Sequence, residues 1–360
     1  MKLLHVCESV IGGTGSYISE LIPKQVELYG AENVVLLIPG NQMHYLDAEV
    51  VASGVKMIPF SRKSRFWGIS SFLSTYLKVL RDFNPDVVHA HSSIAGFVVR
   101  LIGVRRKYSI VFCPHGWSVD IKGARIMRAI AECVERVLAH NTDRVVLISQ
   151  HEYRRAGDLG FPEEKLSLVI SGIMPDPPHV AAAKWEDSRL KVLFAGRFDF
   201  QKGVDVLLHA VEGQGARMSL RLVGGGVVNS LNLPESLPLH VANLGWLDRL
   251  DVCAQMKSCD VLVVPSRWEG FGLVAIEAMR LGVPVVASAV GGLREILGEG
   301  QYGVIVPPED PEALRAALLS LTPARLKELS ELGRARFLAA YSSERMVREI
   351  DAVYAAARKR

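Results

Sequence analysis

Two short segments of this chain carry residues whose types and spacing suit the handling of a diphosphate. Residues 266–279 read SRWEGFGLVAIEAM, follow the strand-like DVLVVP, and have the form strand, glycine-containing turn, helix. The backbone N–H groups of Gly270, Phe271, Gly272 and Leu273 would open that helix, where unpaired donors and the positive end of the helix dipole favour an anion. Glu269 in the turn and Glu277 about one turn inside the helix are eight positions apart, so they address different parts of one ligand. A helix carboxylate can accept two hydrogen bonds from a ribose diol, while the loop carboxylate faces the group being transferred. Taken alone, Glu277 reads equally well as a helix residue with a local partner. Residues 196–203, GRFDFQKG, again join a strand to a helix. There Arg197 offers a planar donor fork and Lys202 a compact charge, a pairing that can neutralise a leaving diphosphate without a divalent cation. The plainer alternative is a pair of surface salt bridges.

Such side chains need rigid strand ends to hold them. Short β-branched runs at 2–8, 34–38, 87–90, 110–114 and 144–149 read as buried strands, and stretches such as 16–29 and 69–83 have apolar residues at helical spacing. The pattern weakens over 172–189, where Pro175, Pro177 and Pro178 mark a linker. It restarts with strands at 191–195, 218–223, 260–265, 284–289 and 304–306. This alternation predicts an α/β chain of two doubly wound, Rossmann-like domains, 1–173 and 174–342, each placing ligands beyond the carboxyl ends of its strands. Two such sheets facing each other would form a cleft in which each domain holds one reactant.

Composition narrows the class. At 360 residues, 49% hydrophobic and 22% charged, the chain has material for two cores. No apolar run reaches the roughly 18 residues of a membrane span, and the first residues lead into a strand without a signal-peptide pattern, which predicts a cytoplasmic protein. Five cysteines without CxxC pairing indicate free thiols rather than a disulfide framework or zinc site. The net charge is +4, but residues 60–107 hold nine basic against two acidic side chains. Within 59–80, Arg62, Lys63 and Arg65 adjoin Phe66 and Trp67 ahead of an amphipathic helix, a face able to rest on anionic lipid. A solvated helix end with core aromatics is the other reading. With 7% aromatic residues and no long basic stripe, nucleic acid is not an expected partner.

Taken together, these motifs resemble those of the family 4 retaining glycosyltransferases of the GT-B fold, of the kind that build bacterial cell-envelope polysaccharide. The glutamate pair in SRWEGFGLVAIEAM resembles the family signature, GRFDFQKGVDVLL its arginine and lysine segment, and VGGLREIL at 290–297 its following glycine-rich turn. The resemblance implies that Arg197 and Lys202 hold the donor diphosphate, that Glu277 binds the ribose, and that Glu269 contacts hydroxyls of the transferred sugar. It implies that Phe271, Gly272 and Leu273 line the phosphates, and that residues 222–226 and 244–247 flank the nucleobase. IGGTGSY at 11–17 resembles the family's glycine loop, with Gly12 and Gly13 as the expected contacts. FCPHGWS resembles the motif that carries an active-site histidine, making His115 a donor-sugar contact; His89 and His91 read as structural or acceptor-side.

The resemblance also implies a last helix, about 343–360, crossing back to the N-terminal domain. It implies no cofactor or metal beyond the nucleotide-sugar co-substrate (UDP-sugar favoured over GDP-sugar), and a saccharide or polyprenyl-diphosphate-linked acceptor. Ser171 and Gly172 stand where many relatives have asparagine and glycine. The rival readings are a nucleotide-sugar epimerase, an inverting GT-B transferase and a non-catalytic binding protein. A nicotinamide-dependent dehydrogenase is disfavoured because the first turn lacks a full GxGxxG.

Overall fold

The computed structural model describes residues 1–62, 65–103, 107–120, 125–226, 233–234 and 236–358. The chain divides into two compact units, Met1–Gly172 with Ser343–Arg360, and Ile173–Ser342.

The first unit begins with β1 (Leu3–Cys7), α1 (Gly13–Tyr29), β2 (Val34–Pro39), α2 (Ala48–Ala52), β3 (Lys56–Phe60) and α3 (Arg65–Phe83). It continues with β4 (Val87–His91), α4 (Ser93–Ile102), β5 (Ser109–Cys113), α5 (Arg125–Ala139), β6 (Arg144–Leu147), α6 (Gln150–Asp158) and β7 (Leu166–Leu168). The seven strands form one sheet in the order β3-β2-β1-β4-β5-β6-β7, with every pairing parallel. The order reverses between β1 and β4, so loops leaving these two strands diverge and open a crevice at their carboxyl ends. Side chains alternate along β1: Leu4 and Val6 join a core with Val88, Ala90 and Phe112, whereas Cys7 packs with Ile18 and Ile22 of α1.

The second unit starts with the irregular stretch before β8 and comprises β8 (Leu190–Ala195), α7 (Val204–Val211), β9 (Met218–Val223), β10 (Val241–Gly245), α8 (Arg249–Ser258) and β11 (Val261–Val264). Then come α9 (Leu273–Arg280), β12 (Val285–Ser288), α10 (Gly291–Ile296), β13 (Val304–Val306), α11 (Pro311–Leu319) and α12 (Pro323–Ala340). Its six strands run β10-β9-β8-β11-β12-β13, all parallel, with the reversal between β8 and β11. These are the two strands that feed the two motifs. The final helix, α13 (Ser343–Arg358), belongs to the first unit.

Three strands lie outside the sequence reading: β3, β7 and β10, each at a sheet edge. They are partly exposed, because an edge strand need not be buried on both faces and so carries no continuous apolar run. Among the described residues no helix is long and apolar enough to cross a membrane. All five cysteines are free thiols, and burial pushes Cys259 up to about 12.

Candidate active site

In the second unit, β8 and β11 end side by side and their loops interlock. Gly203 has φ 65°, and a side chain there would collide with the Pro265 carbonyl, so the loop before α7 can close onto the end of β11 only with glycine. Lys202 Nζ then donates to Glu269 Oε1 at 2.7 Å. Gln201 Nε2 donates to the Trp268 carbonyl at 3.1 Å and to Glu269 Oε2 at 3.3 Å. Gln201 Oε1 in turn accepts from Arg197 Nη2 at 3.1 Å, and Arg197 Nε pairs with Asp199 at 3.2 Å. Arg197, Lys202 and Glu269 thus form one connected group. It is fixed but only partly covered, with the Lys202 side chain 19% and Glu269 8% exposed.

The loop that carries Glu269 has its own brace. Arg267 makes a bidentate pair with Asp205 at 2.9 and 2.6 Å, bonds Glu309 at 2.8 Å, and lies 3.9 Å over the Phe200 ring. Such planar fork-to-carboxylate geometry is among the stronger charged contacts. Gly291 of α10 packs against the Glu269 carbonyl and Gly292 against the Phe271 carbonyl, leaving no room for a side chain at either position. The glycine turn VGGLREIL therefore backs the Glu269 loop.

Gly270 and Phe271 precede Gly272, the N-cap of α9, which has φ 109° and no side chain to cap the first turn. Leu273 begins the helix. The Phe271 ring is buried and meets Tyr341 edge-on at 5.9 Å, so only its backbone is left for ligand. Glu277 is half-buried on α9, and its charge is among those acting on Cys253, whose thiol is pushed up chiefly by burial. It is on the helix that Gly272 caps. Around the expected nucleobase segments, Gly224 N–H donates to the Gly245 carbonyl at 2.8 Å and Phe198 N–H to the Gly225 carbonyl at 2.9 Å. Trp246 is half exposed beside Gly225.

In the first unit, Gly12 is the N-cap of α1 with φ 81°, and Gly12 and Gly13 are exposed. Gly15 packs on the Val10 carbonyl, which pins this turn to the end of β1. His115 stands beyond β5 in the left-handed region, φ 53°. Its turn is held by Glu152, which accepts from Gly116 N–H at 2.6 Å and from Ile148 N–H at 3.1 Å. Tyr17 of α1 meets the His115 ring edge-on at 4.6 Å, joining the glycine loop's helix to the histidine motif. Burial lowers His115 to about 3, so it is neutral at ordinary pH.

His115 does not stand alone. His91 Nδ1 lies 2.9 Å from His115 Nε2, and His91 Nε2 lies 3.0 Å from His5 Nδ1. His89 Nδ1 bonds Tyr354 Oη of α13 at 2.7 Å. Register explains the cluster: His5 is opposite His89 and Cys7 opposite His91, so all three imidazoles share the sheet face covered by α1 and α13. They are fully buried, and burial holds His89 and His91 well below the usual imidazole range and His5 at about 4. Nitrogens of His5, His89 and His91 come within 4.8 Å of one another, close enough for a metal ion to gather. Of the three, His5 and His91 are hydrogen-bonded to each other, while His89 meets both by ring contact. The sequence reading did not find His5, Gln201 or Arg267; only the fold brings them to their partners.

The basic stretch is less of a face than its composition implies. Arg62 bonds the Glu8 carbonyl and carboxylate at 3.0 and 3.2 Å, tying it to the loop after β1. It also borders a hollow of about 400 Å³ at the ends of β2 and β3, lined by Gly40, Asn41, Pro59, Phe60 and Ser61. Arg100 is fully buried, bidentate to Glu135 at 2.8 and 3.1 Å and stacked on Phe112. Lys63 lies outside the described residues, as do the side chains of Arg65, Phe66 and Trp67. Exposed apolar side chains are found on α3 (Ile69, Leu77), α4 (Phe97, Leu101) and α5 (Ile126, Met127, Ile130). At the departure from the family pattern, Gly172 N–H points to Met346 Sδ at 3.3 Å and Arg345 bonds the Ile170 carbonyl at 2.6 Å, so the turn is held by α13.

Comparison with known proteins accords with this geometry. Residues 12–172 match the family described as "Glycosyl transferase 4-like domain", and residues 178–335 match "Glycosyl transferases group 1". An uncharacterized 41.2 kDa protein in the cps region of Klebsiella pneumoniae is 30% identical over 325 residues, covering 86% of this chain and 87% of that one. The uncharacterized glycosyltransferase MJ1178 of Methanocaldococcus jannaschii is 36% identical over 301 residues, 81% and 82% of the two chains. The crystal structure of Anabaena HepE in complex with UDP and glucose superposes with a TM-score of 0.80 at 17% identity, over 99% of each chain. With both halves of the sequence matched and the two-sheet architecture shared, the chain belongs to the family 4 glycosyltransferases of the GT-B fold.

Proposed function

We propose that this chain is a retaining, metal-independent hexosyltransferase that moves a sugar from a UDP-sugar to a saccharide or lipid-linked saccharide during cell-envelope polysaccharide or lipopolysaccharide assembly. The observation that carries the reading is the connected Arg197–Gln201–Glu269–Lys202 group beside the open first turn of α9. Arg197 and Lys202 take the diphosphate together with the backbone of Gly270, Phe271, Gly272 and Leu273, and Glu277 takes the ribose. Two cations and a helix N-terminus supply, without a divalent ion, the charge that a departing diphosphate needs. Glu269, held by Lys202 and Gln201, presents its carboxylate to sugar hydroxyls. Gly12, Gly13 and His115 of the first unit are assigned to the donor phosphate and sugar. Retention follows from front-face attack, in which the leaving β-phosphate oxygen accepts the acceptor's proton while the acceptor oxygen bonds the anomeric carbon.

UDP is favoured over GDP because HepE, a structural neighbour, holds UDP and glucose, and the polysaccharide setting rests on the relative in the cps region. Peripheral contact of a cytoplasmic protein with an anionic membrane is assigned to Arg62, Lys63, Arg65, Phe66 and Trp67, which precede the exposed Ile69 and Leu77 of α3 in the sequence. Calorimetric titration with UDP, GDP, ADP and NAD in the presence of a chelator tests the donor site: selective UDP binding is expected, and binding that needs a divalent ion would overturn metal independence. The anomeric configuration of the product separates this reading from an inverting transferase, and turnover without acceptor would instead indicate an epimerase.

A further inference from the structure

The His5–His91–His115 chain is longer than a sugar contact requires, and its chemistry has a direction. A neutral imidazole carries one N–H, and burial keeps all three neutral. His91 uses both nitrogens, toward His115 Nε2 at 2.9 Å and toward His5 Nδ1 at 3.0 Å. The two bonds must therefore share one polarity. If the protons point inward, His115, His91 and His5 all carry them on Nε2. If they point outward, all three carry them on Nδ1.

The buried end decides between these. His5 Nε2 and Gln25 Oε1 are both sealed from solvent without a hydrogen bond of good geometry. The other end of the Gln25 amide is committed, since Nε2 donates to Tyr354 Oη at 3.2 Å and Tyr354 bonds His89 Nδ1 at 2.7 Å. The outward polarity would leave the His5 Nε2 lone pair and the Gln25 amide oxygen as two bare buried acceptors, neither reached by a hydrogen bond from a described residue. The inward polarity puts an N–H on His5, and the Gln25 amide does raise the proton affinity of that ring against the effect of burial. Leaving buried acceptors without donors costs about 1–3 kcal/mol each, enough to select one polarity.

We propose that His5 and His91 are positioning residues that hold His115 as its Nε2–H tautomer, so that His115 Nδ1, which makes no hydrogen bond among the described residues, accepts a hydrogen bond from a hydroxyl of the transferred sugar. This rests on the reading of His115 as a donor-sugar contact. The device belongs entirely to the first unit, with Gln25 on α1 and Tyr354 on α13 closing its inner end.

The test begins with the unmodified full chain, selectively labelled with 15N-histidine, in which long-range 1H–15N spectra at pH 7.5 report each tautomer. His115, His91 and His5 should all appear as Nε2–H, and a His115 protonated on Nδ1 overturns the proposal. Gln25→Leu and His5→Leu remove the inner end and its first relay. Each should give His115 a mixed tautomer and lower kcat roughly tenfold to a hundredfold, as loss of an orienting partner does elsewhere, with KM for the nucleotide-sugar within about twofold and UDP binding retained as the folding control. His91→Gln, which keeps a donor and an acceptor, should recover part of the loss seen in His91→Leu. If His115→Ala transfers sugar at the wild-type rate, the assignment of His115 itself fails. If His115→Ala is slow while His5→Leu and His91→Leu alter neither tautomer nor rate, only the relay fails.

Discussion

The two units bury polarity by opposite means. In the second, charged side chains are kept at the ends of β8 and β11 and partly wetted, every charge answered within a strand-turn-helix segment or its neighbour: Lys202 by Glu269, Arg197 by Asp199, Arg267 by Asp205 and Glu309. In the first, the polar cluster lies inside the sheet-helix layer, where four imidazoles, a phenol and an amide hold one another without charge. The difference follows from desolvation. An ion taken fully out of water costs several kcal/mol even when paired, so the cations proposed to meet a diphosphate stay near solvent, while the internal network stays neutral. The first unit does bury charge elsewhere, but with partners: Arg100 is held by Glu135 in a bidentate fork and stacked on Phe112, and Glu152 accepts two backbone N–H bonds.

The sharpest way to break this comparison is to remove charge from the second unit. Arg197→Ala and Lys202→Ala should each lower kcat/KM for transfer by about two to four orders of magnitude, roughly 3–5 kcal/mol of transition-state stabilisation. Near-wild-type turnover in both would show that these cations serve only as structural pairs. Next in size, Arg100→Leu leaves Glu135 buried alone and should cost about 3–5 kcal/mol in guanidinium unfolding. The Arg100→Leu/Glu135→Leu double variant should recover most of that loss, and equal losses in the two proteins would mean that packing, not charge, is at stake. Arg267→Ala should lower stability by about 1–3 kcal/mol and weaken UDP binding; calorimetry that finds UDP affinity unchanged would separate the brace from the site.

The pH dependence of stability is the effect most specific to the first unit. His5, with a folded pKa of about 4, and His115, at about 3, are neutral in the native chain, whereas unfolded imidazole titrates near 6.5. Because these values are depressed, the unfolded chain binds more protons below pH 6.5, and stability present above that pH is lost as pH falls toward 4. The slope should be about 1.4 kcal/mol per pH unit for each such histidine. Unfolding free energies that do not change between pH 6.5 and 5, or a slope that His5→Leu leaves intact, would mean that the cluster is not buried neutral.

How much was legible in advance divides along the same line. That Arg197, Lys202, Glu269 and the Gly270–Leu273 backbone stand at strand ends could be read because this placement is local, each within a few residues of a strand end and a glycine. The missed strands β3, β7 and β10 are edges whose burial is one-sided. Arg62 and Arg100 read as surface charge until Glu8 and Glu135, far off in the chain, took them up.

By itself the sequence determined the alternation of strands and helices, two parallel sheets and the glycine turn between β11 and α9, because hydrophobic periodicity and glycine at strand ends act over neighbouring residues. Only the tertiary structure decided what His5, Gln25, His91, His115 and Tyr354 do together. Their contacts span up to 329 positions, and they exist because parallel register sets β1 against β4 and because α1 and α13 cover the same face. A side chain's proton then depends on burial and partners that no stretch of neighbouring residues contains.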